Sequence, residues 1–175
     1  MNKIGIVLHH GIDSGAELAG YAQFAEDAGF DSLWVTERYF HEETFSMLGY
    51  IASSTTRIGL GVGVVNPFSR DPALLAMAAA TIDRLSEGRF VLGLGRSEKS
   101  VISGKLGKRY KTPFADLETA VETVRKLLSG GSIVTADTAG TIRLSVPPLQ
   151  QALRIYLAAI GPKALRLAGT ISDGV

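Results

Sequence analysis

Arg57-Ile-Gly-Leu-Gly-Val-Gly-Val-Val-Asn-Pro-Phe-Ser-Arg-Asp-Pro72, followed by an alanine-rich segment and then by Gly88-Arg-Phe-Val-Leu-Gly-Leu-Gly-Arg96, is the stretch on which the fold is decided. It reads as strand, crossover helix, parallel strand. Ile58 to Val65 is apolar on both faces, as a strand in a parallel sheet covered by helices must be. Asn66-Pro67 ends that strand. Asp71 before Pro72 supplies a helix N-cap with proline at the first helical position. Glu87-Gly88 closes the helix, with Gly88 as a left-handed cap. Phe90 to Leu94 is the next buried strand, and it opens into Gly95-Arg96-Ser97-Glu98.

Gly59, Gly61 and Gly63 alternate along the first of these strands. Glycine inside a strand leaves nothing to pack, and it commonly marks a bulge or a place where a ligand meets the backbone. Tight packing inside a barrel also uses glycine, and the pattern alone leaves both readings open.

Working outward, Lys3 to Leu8 is a short apolar strand with a polar loop, His9 to Ser14, at its carboxyl end. Ser14 to Ala28 is an amphipathic helix with Leu18, Tyr21, Ala22, Ala25 and Ala28 on one stripe. Ser32 to Thr36 is the second strand, and Thr44 to Ser53 the second helix. Beyond Phe90 to Leu94, residues 95–113 form a long polar loop rich in lysine and arginine, and a loop of that length inside a compact domain is usually functional or mobile. Phe114 to Leu128 is a helix. Ile133 to Ala136 and Thr141 to Ser145 pair as a hairpin around Asp137 to Gly140, giving an insertion over residues 129–148. Arg154 to Ala159 is a fifth parallel strand, Lys163 to Gly169 a fifth helix, and Ser172 to Val175 the start of a sixth strand.

Repeated strand–helix units define a parallel α/β fold. A dinucleotide-binding sheet wants Gly-x-Gly-x-x-Gly between its first strand and first helix. Leu8 to Gly15 lacks it, and Gly93-x-Gly95 is followed by Glu98 where the third glycine belongs. The (β/α)8 TIM-barrel type is therefore favoured. Such barrels run to about 250 residues, so 175 residues are expected to be the amino-terminal part, or a shortened copy, of one barrel domain spanning 1–175. The formal net charge of +1 gives no reason to expect nucleic acid. The absence of cysteine excludes disulfides and thiolate chemistry and fits a cytoplasmic setting. No uncharged apolar run approaches the roughly 18 residues of a membrane span, and the amino terminus is too short before its first strand for a signal peptide.

The segments Gly61-Val-Gly-Val-Val-Asn-Pro-Phe-Ser-Arg-Asp-Pro72, Ala25-Glu-Asp-Ala-Gly-Phe-Asp-Ser-Leu-Trp-Val-Thr-Glu37, Gly88-Arg-Phe-Val-Leu-Gly-Leu-Gly-Arg-Ser97, Ile155-Tyr-Leu-Ala-Ala-Ile-Gly-Pro-Lys163 and Leu167-Ala-Gly-Thr-Ile-Ser-Asp-Gly-Val175 resemble, in order, the luciferase-like flavin and deazaflavin oxidoreductases. The Asn-Pro-Phe-Ser-Arg and Gly-Arg-Ser-Glu segments are most similar to the branch using coenzyme F420. The resemblance implies a (β/α)8 barrel whose planar cofactor sits at the carboxyl ends of the strands, over a bulge in strand three with a cis peptide at Gly63-Val64. It gives the glycine-rich strand a reason, backbone pressed against a flat ring. It implies F420 as cofactor and hydride transfer between it and a small-molecule substrate, with an FMN-dependent monooxygenase using molecular oxygen as the alternative, and association into a homo-oligomer.

The same resemblance marks Glu37 and Glu98 as catalytic candidates. Arg38 follows Glu37 where some relatives carry histidine, and a guanidinium does not donate its proton. A carboxyl at Glu98 near an apolar ring would be pushed up and could protonate a substrate. Gly95, Arg96 and Ser97 are expected to cradle a phosphate. Ala158, Ala159 and Gly161 do likewise, where Gly161-Pro162 opens a helix. His9, Gly63, Val64 and Asn66 border the ring. His9, His10 and His41 carry no carboxylate pattern of metal type, and no metal is expected. Two readings compete with the F420 oxidoreductase: a non-catalytic half-barrel that associates through its open edges, and a phosphosugar-type barrel enzyme using only the Gly95 to Ser97 nest.

Overall fold

Strand follows helix because apolar runs covered on both faces alternate with capped amphipathic stretches. The computed structural model describes residues 3–9, 11–134 and 140–175. Its elements are β1 (Gly5–Leu8), α1 (Gly15–Asp27), β2 (Ser32–Val35), α2 (Thr44–Ser54), β3 (Gly59–Val62), α3 (Pro72–Leu85), β4 (Phe90–Leu94), α4 (Lys99–Ile102), α5 (Pro113–Leu128), β5 (Ile133–Val134), β6 (Thr141–Ile142), β7 (Ile155–Leu157) and α6 (Pro162–Ile171). The main sheet has the order β1-β2-β3-β4-β7, all neighbours parallel. Spatial order that follows chain order is how barrel staves are laid down; a doubly wound sheet reverses order at a switch point. Beyond β7, Tyr156 bridges Gly174 in parallel, so the segment after α6 aligns as the next strand. β5 and β6 form a separate antiparallel pair between α5 and β7; the turn expected at Asp137 to Gly140 and the end of its first strand at Ala136 lie mostly outside the described residues, as does His10.

Local chemistry sets the boundaries. Ser14 caps α1 by accepting the Glu17 N–H, and Asp71 caps α3 by accepting from Ala73 ahead of Pro72. Glu87 and Gly88 both turn left-handed, at φ 54° and 81°, after α3. Leu33, Val35, Leu60, Leu92, Leu94, Ile155 and Leu157 are buried under the helices.

Three expectations need correction. The segment 95–113 is not all loop: α4 forms within it because Ile102 finds full burial between lysine-rich flanks. On α1 only Leu18, Ala22 and Ala25 are buried; Tyr21 and Ala28 from the expected stripe are exposed. The glycines of β3 answer mainly to packing. A Cβ on Gly61 would fall onto the Trp34 ring, and one on Gly59 would press the Asp31 carbonyl at 3.1 Å. The flat ring against Gly61 is therefore the protein's own indole, which also stacks on Tyr156 with centroids 5.9 Å apart. Gly63 differs: a Cβ there meets only Trp34 at an ordinary 3.6 Å.

Candidate functional site at the strand carboxyl ends

β3 does not run straight to its end. After Val62 the Gly63–Val64 peptide bond is cis, and Val65 rejoins the sheet by bridging Leu94. Val65 N–H donates to Gly93 O and Gly95 N–H to Val65 O, at 3.0 and 2.9 Å. The detour carries Val64 over β4, where its Cγ2 occupies the space a Cβ on Gly95 would need, 2.7 Å away. Gly95 is thus buried with its N–H engaged. It makes room for Val64 and does not offer that N–H to a phosphate, contrary to expectation. Ala158 N–H is likewise engaged, with Leu94 O at 2.9 Å, although the residue itself is exposed.

Arg96 and Ser97, expected to act together, diverge. The Arg96 guanidinium lies over the Phe114 ring at the start of α5, 5.0 Å from its centre, and Lys163 from the first turn of α6 approaches the same ring at 4.6 Å. Among the described residues neither cation has a carboxylate partner. Gly161, at φ 85°, precedes α6 with open space around the place a Cβ would take. Two cations, a helix amino end and a bare glycine converge there, and Ala159 lies half-buried beside them.

Ser97 turns the other way, toward β2. Its hydroxyl is 2.6 Å from the Tyr39 hydroxyl, which accepts from Asn66 Nδ2 at 2.7 Å. Asn66 is only 3% exposed. Its Oδ1 accepts from the Phe68 and Ser69 N–H groups at 3.0 and 2.9 Å. Oδ1 is thus filled by two backbone donors, and one Nδ2–H ties Asn66 to Tyr39. Burial pushes the Tyr39 phenol above its ordinary value, aided by the charges of Glu37 and Glu98 and opposed by its bonds to Ser97 and Asn66. Tyr39 was not among the residues singled out from the sequence, and it feels the charges of both acidic candidates.

Glu37 pairs with Arg70, not with its neighbour Arg38. Both its oxygens face Arg70 Nη2, at 2.9 and 3.2 Å, and its side chain is 12% exposed. Arg70 also meets Glu43 at 2.6 Å and lies over Phe45. That clamp joins the loop after β2 to the Asn66–Arg70 turn and the start of α2, a positioning arrangement. Glu98 is exposed beside α4 and accepts from Ser100 at 3.1 Å. His9, exposed at the end of β1, sits with its Nδ1 3.4 Å from Thr36 Oγ1. Among the described residues no group of acidic and histidine side chains is arranged to hold a metal ion.

Parallel staves in chain order define a barrel-type α/β protein, and hydroxyls, carboxylates and cations gathered at their carboxyl ends make that face the candidate site. The profile of the luciferase-like monooxygenase family matches residues 1–175, and the chain belongs to that family. A 5,10-methylenetetrahydromethanopterin reductase of Archaeoglobus fulgidus is 39% identical over 165 residues, 91% of this chain and 48% of that protein. An F420-dependent glucose-6-phosphate dehydrogenase of Amycolatopsis mediterranei is 30% identical over 172 residues, 90% of this chain and 52% of that protein. The solved coenzyme F420-dependent tetrahydromethanopterin reductase of Methanopyrus kandleri superposes with a TM-score of 0.87 at 28% identity, over 99% of this chain and 55% of that one. The chain spans about half the length of the curated relatives it matches.

Proposed function

We propose that the protein is an oxidoreductase that uses coenzyme F420 to move a hydride to or from a small organic substrate. A planar, phosphorylated cofactor needs an open backbone wall, hydrogen-bond donors and an anion hold. Gly63, with only an ordinary neighbour where a Cβ would stand, and Gly161, with none, supply open backbone. Ser97 and Tyr39 supply hydroxyls. Arg96 and Lys163 supply unbalanced positive charge. The residues fit the group.

When bound, F420 supplies a carbon that gives or takes hydride. The chain's part is to hold and orient it. Arg96, Lys163 and the amino end of α6 bind the anionic tail; Gly63 and Val64 border the ring; Tyr39 and Ser97 supply hydroxyls. The Glu37–Arg70–Glu43 clamp keeps the β2 and β3 loops in register, and Glu98 is the exposed carboxyl left to exchange a proton with a substrate.

The convergence of Arg96 and Lys163 on Phe114 carries this reading. Titrating the chain with F420, and separately with FMN, tests it by change in cofactor fluorescence. Arg96→Met and Lys163→Met should each weaken F420 binding about ten- to a hundredfold, the loss expected for a hydrogen bond to a charged group. Unchanged affinity in both variants would refute the assignment, and tighter binding of FMN than F420 would favour an oxygen-using monooxygenase.

The reading extends to self-association in a cytoplasmic setting. α2 carries no charged residue, and Tyr50, Leu74, Met77 and Leu85 stand exposed on α2 and α3. An apolar surface of this kind suits a second copy of the chain, which sedimentation at rising concentration would detect. Among the described residues no helix is long and apolar enough to cross a membrane.

A further inference from the structure

Ser97 occupies a position where glycine would be easier. Its φ is 57°, a left-handed conformation that residues with a Cβ seldom adopt. Two tyrosines hold it there: Tyr110 donates its hydroxyl to the Ser97 carbonyl at 3.0 Å, and Tyr39 meets its side-chain oxygen at 2.6 Å. What serine adds over glycine at this position is one hydroxyl.

The surrounding bonds fix the direction of that hydroxyl pair. Asn66 Oδ1 takes two backbone N–H groups, so its Nδ2 must be the end that faces Tyr39. The phenolic oxygen therefore receives a hydrogen from Asn66. Tyr39 and Ser97 together own two hydroxyl protons, and the bond between them uses one. The other has no acceptor among the described residues. Whichever hydroxyl bridges, the pair has one O–H left over, at the carboxyl ends of β2, β3 and β4.

We propose that the Tyr39–Ser97 pair is the neutral hydrogen-bond donor of the site, directing its free O–H to a carbonyl oxygen of the bound planar ring, with Asn66 as the residue that positions it. This rests on the F420 reading above. The donor is permanent: burial and the flanking carboxylates of Glu37 and Glu98 oppose ionisation of the phenol, so it remains protonated where an imidazole would titrate. A half-buried donor of this kind favours ligands that carry an acceptor, because a bound ligand without one shields the O–H from water and leaves it unpaired.

The test compares the wild-type chain with the double variants Tyr39→Phe/Ser97→Gly and Tyr39→Phe/Ser97→Ala, because either single change leaves one unbridged hydroxyl that still donates. Affinity for F420 is measured by fluorescence titration, the stretching frequency of the bound ring's carbonyl by difference infrared spectroscopy, and folding by thermal unfolding. Both double variants should weaken binding about three- to tenfold, the range for one neutral hydrogen bond. The ring carbonyl should move to higher frequency in each. The Ser97→Gly change separates this role from a structural one: it relieves the left-handed backbone, so the glycine double variant should melt above the alanine one while losing the same affinity. If the wild-type binds F420 but both double variants keep its affinity within twofold and its carbonyl frequency, the inference is overturned while the proposed function stands. If only the alanine double variant loses affinity, following its lower melting temperature, the pair is structural and the inference fails. If the wild-type chain binds no F420, the proposed function falls and takes this inference with it.

Discussion

Glu26, at the end of α1, reaches across to the chain entering β3 and accepts the backbone N–H groups of Thr56, Arg57 and Ile58, the last two at 2.6 and 2.8 Å. Burial by itself would push this carboxyl up. The hydrogen bonds from Ile58, Arg57 and Thr56, with the charge of Arg57, overcome that and bring it from 4.5 down to about 2. The side chain is only 9% exposed, so solvent screening is weak. A carboxyl lowered this far contributes roughly 3 kcal/mol at neutral pH. The sign follows from a folded value below the unfolded one: the stabilisation is complete above about 4.5 and is lost as pH falls toward 2. Glu26→Gln keeps the shape and one acceptor oxygen but removes the charge and turns an NH₂ group toward backbone donors. It should cost about 2–3 kcal/mol at pH 7, and the gap from wild type should shrink below about 1 kcal/mol by pH 2.5. Urea unfolding followed through the fluorescence of Trp34, the single tryptophan, measures both. A gap that is the same at pH 7 and pH 2.5 would show that the three N–H groups are not stabilising the ionised form, and the reasoning would fail.

Arg89 donates to the carbonyls of Ala52, Thr55, Ile58 and Ser86 and to the Thr55 hydroxyl, tying the end of α2 to the start of β4. Arg89→Lys keeps the charge but not the planar fork, and should cost about 2–4 kcal/mol in denaturant unfolding. The glycines of the sheet should rank by what each methyl would meet. Gly61→Ala strikes the Trp34 ring, which can shift, at a cost of about 1–3 kcal/mol; Gly93→Ala strikes the Val62 carbonyl, which is backbone, and should be the more damaging of the two in melting temperature.

The sheet was legible because its signals are local. Both-face apolar runs, Asp71 before Pro72 and the Glu87-Gly88 stop lie within a few residues of the features they predict. The site was legible only where a residue's role depends on which strand it follows. His9, Glu37, Asn66, Arg96 and Ala159 lie just past strand carboxyl ends, as their order in the chain requires, but their partners could not be read. Glu37 meets Arg70, 33 positions on, instead of the adjacent Arg38. Tyr39 gains its importance from Asn66 and Ser97, 27 and 58 positions away, and nothing beside it in the chain marks it. Gly61 misled for the same reason: the ring it accommodates belongs to Trp34, on the preceding strand.

The two ends of the sheet are held in different ways, and the difference bears on where chemistry can occur. At the amino ends, charged side chains bind backbone directly: Asp31 accepts Ile4 N–H at 2.7 Å, Glu26 takes three N–H groups before β3, Arg89 binds carbonyls around α2, and Asp173 accepts Ile155 N–H at 2.8 Å while paired with Arg125. Such bonds satisfy polar backbone where strands enter. At the carboxyl ends the ties run largely between side chains, Tyr39 to Ser97 and Glu37 to Arg70, and among the described residues they leave a hydroxyl proton without an acceptor and two cations, Arg96 and Lys163, without a carboxylate. Half-buried and exposed donors are met by water in the free chain and become costly only when covered without an acceptor, so they favour a ligand that completes them. Substitutions at the first end should therefore register in stability, and those at Tyr39, Ser97, Arg96 and Lys163 in ligand affinity. A variant of Arg96 or Lys163 that lost stability but not binding would break that division.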